Sequence, residues 1–194
     1  MAERADQQLL DALAAVAAAL DSVDSASMII GGIAVIARGV PRQTIDIDAT
    51  VWAESVALEA LLAKLATRRV VPRIADAVSF ARQHQVLLLE HEPTAIPVDL
   101  SLAWLPFERV ALERADHVDF GGVRLRVATP EDLVIYKAVA WRDRDRSDIE
   151  RLLARHRDTI DLERVRQVVR EFAAALDDPA RVEQFDALVR RALG

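Results

Sequence analysis

The sequence GGIA at residues 31–34 is followed by RQTIDID at residues 42–48, and a further acid, Asp99, lies in IPVDLS at residues 96–101. A glycine pair allows the backbone to approach phosphate groups closely. Asp46 and Asp48 are separated by one apolar residue, so their side chains project from the same face of a β-strand. Because hard cations prefer carboxylate oxygens, a third acid on a later strand would complete a cation site. The pattern predicts a divalent-cation site beside a phosphate-binding turn.

Residues 43–52 alternate strictly between apolar and polar side chains, which predicts a half-buried β-strand. Ile45 and Ile47 are expected on its core face, and Asp46 and Asp48 on its polar face. Asp99 alternates with apolar neighbours in the same way and is expected to join that polar face. The other predicted strands are residues 27–30, 86–90, 96–102, 116–120 and 123–128, the last two being joined by a hairpin turn at Gly121-Gly122.

The rest of the chain is predicted to be mainly helical. Thr129 and Pro130 place a capping hydroxyl and a helix-initiating proline before two acids, which predicts a helix start near residue 130. The predicted helices are residues 6–19, 54–66, 130–141, 147–155, 162–176 and 180–193. Together these elements predict an α+β fold. A small mixed sheet with flanking helices forms a core over residues 1–128, and a helical C-terminal part over residues 129–194 packs on it.

Composition excludes several classes of protein. With 194 residues and an apolar fraction of 52%, the chain is not disordered, and without cysteine it has no disulfide, zinc-thiolate site or thiol nucleophile. The apolar run at residues 12–20 is too short to span a bilayer, and the first residues lack the basic start of a signal peptide. We therefore expect a cytoplasmic protein without a membrane partner. The net charge of −6 argues against broad nonspecific binding of nucleic acid.

The order of these motifs resembles that of the polymerase-beta-like nucleotidyltransferase superfamily, in which Gly-Gly or Gly-Ser precedes Asp-x-Asp and a distant third acid. Within it, the sequence is most similar to the AbiEii/AbiGii-type toxin nucleotidyltransferases. The narrower likeness rests on RQTIDID at residues 42–48, TPEDLVIYK at residues 129–137 and RDRSDI at residues 144–149. It extends from about Ile29 to Leu153, and it implies a sheet of the polymerase-beta-like type.

The resemblance implies transfer of a nucleoside monophosphate from a nucleoside triphosphate (NTP), with Mg²⁺ as cofactor in a two-ion arrangement. Asp46, Asp48 and Asp99 would hold the metal ions and act in catalysis, and Lys137 would contact the triphosphate. Gly32 replaces a serine found in many relatives, so the phosphate grip would depend on backbone N–H groups. The remaining candidates for nucleotide binding are Gly31, Arg38, Arg42 and Thr44, and Asp145 is a further catalytic candidate.

Several of these residues also have a structural interpretation. On a regular helix Lys137 and Trp141 share a face, where they could line a cleft or be a snorkelling lysine and a core tryptophan. Asp145 and Asp148 have the spacing of a helix N-cap and an acid at N3. Arg38 and Arg42 could bind a triphosphate or be ordinary solvated arginines. The same alternative holds for the basic residues Lys64, Arg68, Arg69 and Arg73, which could touch phosphates or form a solvated helix end.

Two functional hypotheses remain from the sequence. The leading one is an enzyme that moves a nucleotide onto an RNA end such as tRNA, as the toxin of a toxin–antitoxin or phage-defence pair with a cognate antitoxin as partner. A small hydroxylated metabolite or a protein side chain is the alternative acceptor. The rival hypothesis is a noncatalytic antitoxin-like or protein-interaction module that keeps the nucleotidyltransferase fold. The intact set of three acids argues against this rival.

Overall fold

The chain divides into two compact units in a computed structural model, which describes residues 2–53 and 57–194. The first unit consists of Met1–Ala37 and Gln43–Ala128, and the second of Arg38–Arg42 and Thr129–Gly194. The short segment Arg38–Arg42 therefore belongs to the unit formed mainly by the C-terminal residues. The predicted helix at residues 54–66 begins with residues 54–56, which lie outside the described residues.

The first unit is built on a β-sheet. Its strands are β1 (Ser27–Ile29), β2 (Ile47–Trp52), β3 (Val70–Pro72), β4 (Val86–His91), β5 (Ile96–Ala103), β6 (Asp116–Phe120) and β7 (Val123–Val127). Within the described residues the strand order is β3-β4-β5-β2-β1-β7-β6. The sheet is mixed, because β2 runs parallel to β5 and β1 parallel to β7, whereas the other neighbours are antiparallel.

Helices of the first unit flank this sheet. They are α1 (Ala2–Asp21), α2 (Gly31–Ala37), α3 (Leu58–Ala66), α4 (Ala77–His84) and α5 (Pro106–Arg114). Helix α1 contacts β4, β5 and β7, and its apolar residues recur at helical spacing, so Leu13 and Val16 are buried. On β2, the alternating residues Ile47 and Val51 are fully buried. Burial of each such side chain stabilises the fold by about 1.5–3 kcal/mol.

The second unit is helical. Its helices are α6 (Pro130–Ala140), α7 (Asp143–Arg155), α8 (Leu162–Ala175) and α9 (Ala180–Leu193). Helix α6 begins as the sequence predicts, with Thr129 as N-cap accepting the N–H of Asp132 at 3.2 Å. The carboxylate of Asp132 is fully buried and paired with Arg164 at 2.6 Å, which ties the first turn of α6 to α8. The α+β fold predicted from the sequence, a mixed sheet with flanking helices and a helical C-terminal part, is confirmed.

The hairpin of β6 and β7 is also confirmed. Gly121 and Gly122 connect the two strands with φ angles of 60° and 86°, a backbone region that favours glycine.

The start of β2 differs from the prediction. The alternating pattern predicts a strand from residue 43, but β2 begins only at Ile47. Ile45, expected in the core, is 80% exposed. The reason is that β2 pairs with β5 only from Ile47 and with β1 only from Ala49 to Val51, so Ile45 has no strand partner on either side among the described residues. Strand β3 and helices α2, α4 and α5 are short elements that the sequence pattern does not predict, and Gly31-Gly32, expected in a turn, forms the start of α2.

No helix within residues 2–53 and 57–194 combines the length and the apolar character that crossing a membrane demands.

Candidate active site

Asp48 and Asp99 lie opposite each other on neighbouring strands. In the parallel pairing of β2 and β5, Asp48 is the register partner of Asp99. Register partners in a sheet share a face, so both carboxylates project from the same side of it. Both residues are partly exposed, whereas Ile47 and Val98, which precede them, are buried on the opposite face. The sheet thereby brings together two of the three acids that the sequence analysis selects.

Gly31 holds the backbone against the Asp48 carboxylate. The N–H of Ile30 donates to the carbonyl oxygen of Asp48 at 2.9 Å, which places the next residue beside the Asp48 side chain. Gly31 has a φ of 63°, and a Cβ at this position would overlap Oδ2 of Asp48. Position 31 therefore excludes other residues both by its backbone conformation and by its space. Gly32 follows as a buried residue of α2.

Replacement of Gly31 by alanine is expected to destabilise the protein more than the same change at Gly122. Both glycines have a positive φ, which costs an L-residue about 1–2 kcal/mol. A Cβ at Gly122 meets no atom within 4 Å, whereas one at Gly31 collides with Asp48. The difference between the two free energies of unfolding, measured in urea, reports the collision. Equal destabilisation of the two variants would contradict the close approach of Gly31 and Asp48.

Neighbouring side chains form hydrogen bonds with Asp46 and Asp99. Asp46 lies in a bend just before β2, where the Thr44 hydroxyl donates to its Oδ1 at 2.6 Å. Asp99 accepts a hydrogen bond from Nη2 of Arg73 at 2.7 Å in a partly exposed ion pair. In the described part of the chain, no three carboxylate or imidazole groups lie close enough together to hold a metal ion. The facing pair Asp48 and Asp99 is present, but the three acids do not form a closed cage.

A second group of candidate residues forms a buried charge cluster within the second unit. Nζ of Lys137 lies 2.7 Å from Oδ2 of Asp148 and 3.4 Å from Oδ1 of Asp145. Nη1 of Arg42 donates to the same oxygen of Asp148 at 2.7 Å. Lys137, Asp145 and Asp148 are each at least nine-tenths buried. Each of the two buried carboxylates is thus paired with at least one cation, as the burial of charged groups requires.

Asp145 also caps helix α7. The helix begins at Asp143, not at residue 147, and its N-cap is Arg142. Oδ2 of Asp145, at N3, accepts the backbone N–H of Arg142 at 3.1 Å and its Nε at 2.7 Å. The interpretation of Asp145 as N-cap with Asp148 at N3 is therefore wrong, because the helix starts earlier. Asp148 lies further along the helix, where its contacts are Lys137 and Arg42.

The pKa of Asp145 is lower than that of an ordinary aspartate. Burial acts to raise the pKa of this carboxyl, but the hydrogen bonds from Arg142 and the charge of Lys137 lower it by more. A carboxyl whose pKa falls on folding stabilises the protein above its unfolded-state pKa of about 3.9. This stabilisation is lost as the pH falls through the lower folded-state pKa.

We therefore expect the free energy of unfolding to decrease as the pH falls below about 4, and to decrease less in Asp145→Asn than in the unsubstituted protein. The amide of asparagine is uncharged above and below pH 4, so the variant lacks the pH-dependent contribution of this carboxylate to the free energy of unfolding. Urea unfolding at a series of pH values measures both slopes. Identical slopes would show that Asp145 is not stabilised as a carboxylate.

Trp141 and Arg38 also lie in the second unit. Helix α6 ends at Ala140, and Trp141 is its left-handed C-cap with a φ of 53°. The expectation that Lys137 and Trp141 share a helical face is wrong for this reason. The Trp141 ring instead lies under the guanidinium of Arg181, at 5.0 Å from its centre. Arg38 lies in the turn after α2, and its carbonyl oxygen accepts a hydrogen bond from Nε2 of His156 at 2.9 Å.

Asp148 and Arg73, which contact these candidate residues, are not among the catalytic or nucleotide-binding residues predicted from the sequence. Asp148 lies in the RDRSDI segment that carries the resemblance, but its spacing from Asp145 favours a capping role. Arg73 belongs to the basic stretch, and two other members of that stretch also contact neighbouring residues. Lys64 donates to the carbonyl oxygen of Ser22 at 2.5 Å, and Arg69 pairs with Glu92 at 3.1 Å.

Comparison with known proteins assigns this chain to a family. The family model described as "Nucleotidyltransferase of unknown function (DUF6036)" matches residues 7–191. The chain belongs to this nucleotidyltransferase family. Membership of the nucleotidyltransferases, expected from the motifs, is thereby confirmed. No curated protein matches the chain in sequence.

Solved structures of other proteins share the fold. The solution structure of the antibiotic-resistance factor ANT(2'')-Ia has a TM-score of 0.58 at 18% identity, over 96% of this chain and 99% of that one. The crystal structure of ANT(2'')-Ia in complex with adenylyl-2''-tobramycin has a TM-score of 0.54 at 20% identity, over 87% and 97%. JHP933 from Helicobacter pylori has a TM-score of 0.51 at 13% identity, over 99% and 91%. At these identities the likeness establishes the fold alone.

Proposed function

We propose that this nucleotidyltransferase transfers a nucleoside monophosphate from an NTP to a hydroxyl group of tRNA or another RNA. The observation that carries the proposal is the pairing of Asp48 with Asp99 on one face of the sheet, beside the backbone of Gly31. In the reaction, a bond forms between the acceptor oxygen and the α-phosphorus, and the bond to pyrophosphate breaks. The proton of the acceptor hydroxyl passes to the solvent, and pyrophosphate leaves. Such transfers depend on positioning and charge, without a covalent enzyme intermediate.

The donor set of the first unit fits Mg²⁺ as cofactor. Mg²⁺ prefers oxygen ligands, and Asp48 and Asp99 offer theirs from one face, with the Asp48 carboxylate in the space that a Cβ at Gly31 would fill. We propose that Asp46, Asp48 and Asp99 together hold two Mg²⁺ ions. Bound Mg²⁺ would neutralise charge on the phosphate oxygens and favour deprotonation of the acceptor. Asp99 has to exchange the Arg73 guanidinium for the cation, and we assign it the position nearest the attacking oxygen.

The proposal includes a set of residues that bind the phosphates of the NTP. The contacts seen in the structure support some of these residues more than others. Gly31 and Gly32 offer backbone N–H groups beside Asp48. Thr44 orients Asp46 through its hydroxyl group. Lys137, like Arg42, is already neutralised by buried carboxylates, so direct contact with a triphosphate would require it to leave Asp145 or Asp148. Arg38 completes the proposed nucleotide-binding set, and Asp145 is proposed as a further catalytic residue together with Lys137.

The biological role proposed is that of a toxin in a toxin–antitoxin or phage-defence pair. The support is the similarity of residues 42–48, 129–137 and 144–149 to the AbiEii/AbiGii-type toxins. A cognate antitoxin would be the protein partner. The cytoplasm, where tRNA and NTPs are available, would be the site of action.

The test is incubation of the full-length protein with each α-labelled NTP, Mg²⁺ and one of two acceptors, purified tRNA or total RNA. We expect Mg²⁺-dependent label in RNA, and sequencing of the product identifies the modified end. A parallel reaction with tobramycin tests a small hydroxylated acceptor, which the crystal structure of ANT(2'')-Ia with adenylyl-2''-tobramycin suggests. Label in tobramycin but not in RNA would overturn the RNA assignment while retaining the reaction type.

A noncatalytic module is the second candidate function, and one observation favours it. Asp99 is paired with Arg73, and the described acids do not form a three-acid cage. A module that has lost catalysis would keep this ion pair and bind no nucleotide. Absence of label in every acceptor, together with absence of Mg²⁺-dependent NTP binding by calorimetry, would establish this alternative.

A further inference from the structure

Two tryptophans and an arginine form a pocket on the first unit that the proposed reaction does not use. The pocket is lined by Trp52, Ala53, Trp104, Pro106 and Arg109, and its volume is about 420 Å³. Residue Trp104 is 62% exposed. The guanidinium of Arg109 lies 5.9 Å from the centre of the Trp52 ring. Such a pocket offers flat aromatic surfaces together with one cation.

The sheet places this pocket on the same face as the acids. Trp52 is four residues after Asp48 on β2, so the two side chains project from the same face, about 13 Å apart at the rise of a parallel strand. Trp52 is also the register partner of Ala103, the last residue of β5. The chain leaves β5 directly into Trp104 and helix α5, which brings Pro106 and Arg109 to this end of the sheet.

The exposed ring of Trp104 is carried by a fixed backbone. Oε2 of Glu108, a largely buried side chain, accepts the N–H groups of Trp104 and Leu105, both at 3.0 Å. Two hydrogen bonds to one carboxylate hold the turn in place, so little ordering is needed when a ligand stacks on the ring. Arg109 pairs with Glu113 at 3.5 Å in an exposed ion pair, which a phosphate could displace because such pairs are weak.

We infer that this pocket binds a nucleobase of the single-stranded RNA acceptor by stacking on Trp104 and Trp52, with a neighbouring phosphate on Arg109. The inference rests on the proposed function and names the acceptor's binding site. Indole rings stack on any base, and an arginine beside them adds a phosphate contact. The spacing of about 13 Å from Asp48 corresponds to a few stacked nucleotides at about 3.4 Å each. Thr50, which lies between Asp48 and Trp52 on this face, is fully buried, so the acceptor strand has to pass over the side chains that cover it.

The test is fluorescence anisotropy of an end-labelled single-stranded hexaribonucleotide with the full-length protein, without NTP. We expect Trp104→Ala to weaken binding by about tenfold or more, and Trp104→Phe to retain most of it, because stacking needs an aromatic ring. Arg109→Ala should weaken RNA binding. It should also reduce the slope of log affinity against log salt concentration by the amount expected for about one phosphate contact. Arg82→Ala, which removes an exposed arginine that is also paired with a carboxylate, is the matched control and should bind normally.

Three results would overturn the inference. The first is an unchanged RNA affinity in Trp104→Ala. The second is a Trp104-dependent affinity for a proline-rich peptide instead of RNA. The third is a loss of ATP affinity in Trp104→Ala as large as the loss of RNA affinity, which would assign the pocket to the base of the NTP. Binding is measured without transfer, so the two proposals fail separately. Transfer to RNA with no effect of Trp104→Ala overturns only the pocket. Trp104-dependent RNA binding with no transfer overturns only the enzyme.

Discussion

Asp48→Asn is expected to slow nucleotide transfer by at least about a hundredfold while the protein stays folded. The amide has the size of the carboxylate, so it fits the space beside Gly31. It lacks the negative charge that would hold Mg²⁺ opposite Asp99, and removal of a metal-binding or charge-stabilising group typically costs this much or more. The rate of α-labelled NTP incorporation under single-turnover conditions measures the effect.

Asp24→Asn is the matched control for this variant. Asp24 is an exposed aspartate of the same unit, in the turn between α1 and β1. The control should transfer at the normal rate, and both variants should unfold at the same urea concentration as the unsubstituted protein. Near-normal transfer by Asp48→Asn would remove Asp48 from the mechanism and with it the proposed metal site.

Lys137→Met is expected to lower the free energy of unfolding by about 3 kcal/mol. The substitution removes the cation between two buried carboxylates, and breaking a buried ion pair costs about 3–5 kcal/mol because the remaining charge is left uncompensated. We expect the lower end of this range. Arg42 still pairs with Asp148, and Arg142 still pairs with Asp145. Urea unfolding at neutral pH measures the change.

Arg191→Met is the matched control that shows how much of the effect of Lys137→Met is due to burial of the ion pair. Arg191 pairs with Glu150 at 2.8 Å in the same unit, but the arginine is 62% exposed, so its loss should cost less than about 1 kcal/mol. Similar costs for the two variants would show that the Lys137 cluster contributes no more than a surface pair. A stable Lys137→Met variant with reduced NTP affinity would instead support the assignment of Lys137 to the triphosphate.

Local chemistry made much of the fold predictable. The hairpin follows from Gly121-Gly122 between alternating segments, and the start of α6 follows from Thr129 and Pro130, because these signals act within a few residues. Helix α5 was missed although Pro106 and Glu108 are typical of a first turn, since its short apolar pattern resembles a loop. Ile45 was misplaced because strand alternation continues in the sequence beyond the point where pairing stops.

The candidate site was predictable only in part. Alternation along β2 and β5 indicates that Asp48 and Asp99 lie on polar faces, but it cannot give the register that makes them partners. Register depends on which strands meet, and that is a property of the whole sheet. The contact of Arg73 with Asp99 also depends on which strands pair in the sheet, so no local sequence pattern predicts it.

The placement of Arg42 has a consequence for how this protein folds during synthesis. Arg42 and Asp148 are 106 positions apart, yet their ion pair lies within one unit. Helices α6 to α9 can begin to associate through local contacts as they leave the ribosome, but that unit is complete only when the early segment Arg38–Arg42 joins it. Contacts of such long sequence separation slow folding. A fragment cut at residue 129 would therefore lack a piece of its own core, and the two units are not separable modules for truncation.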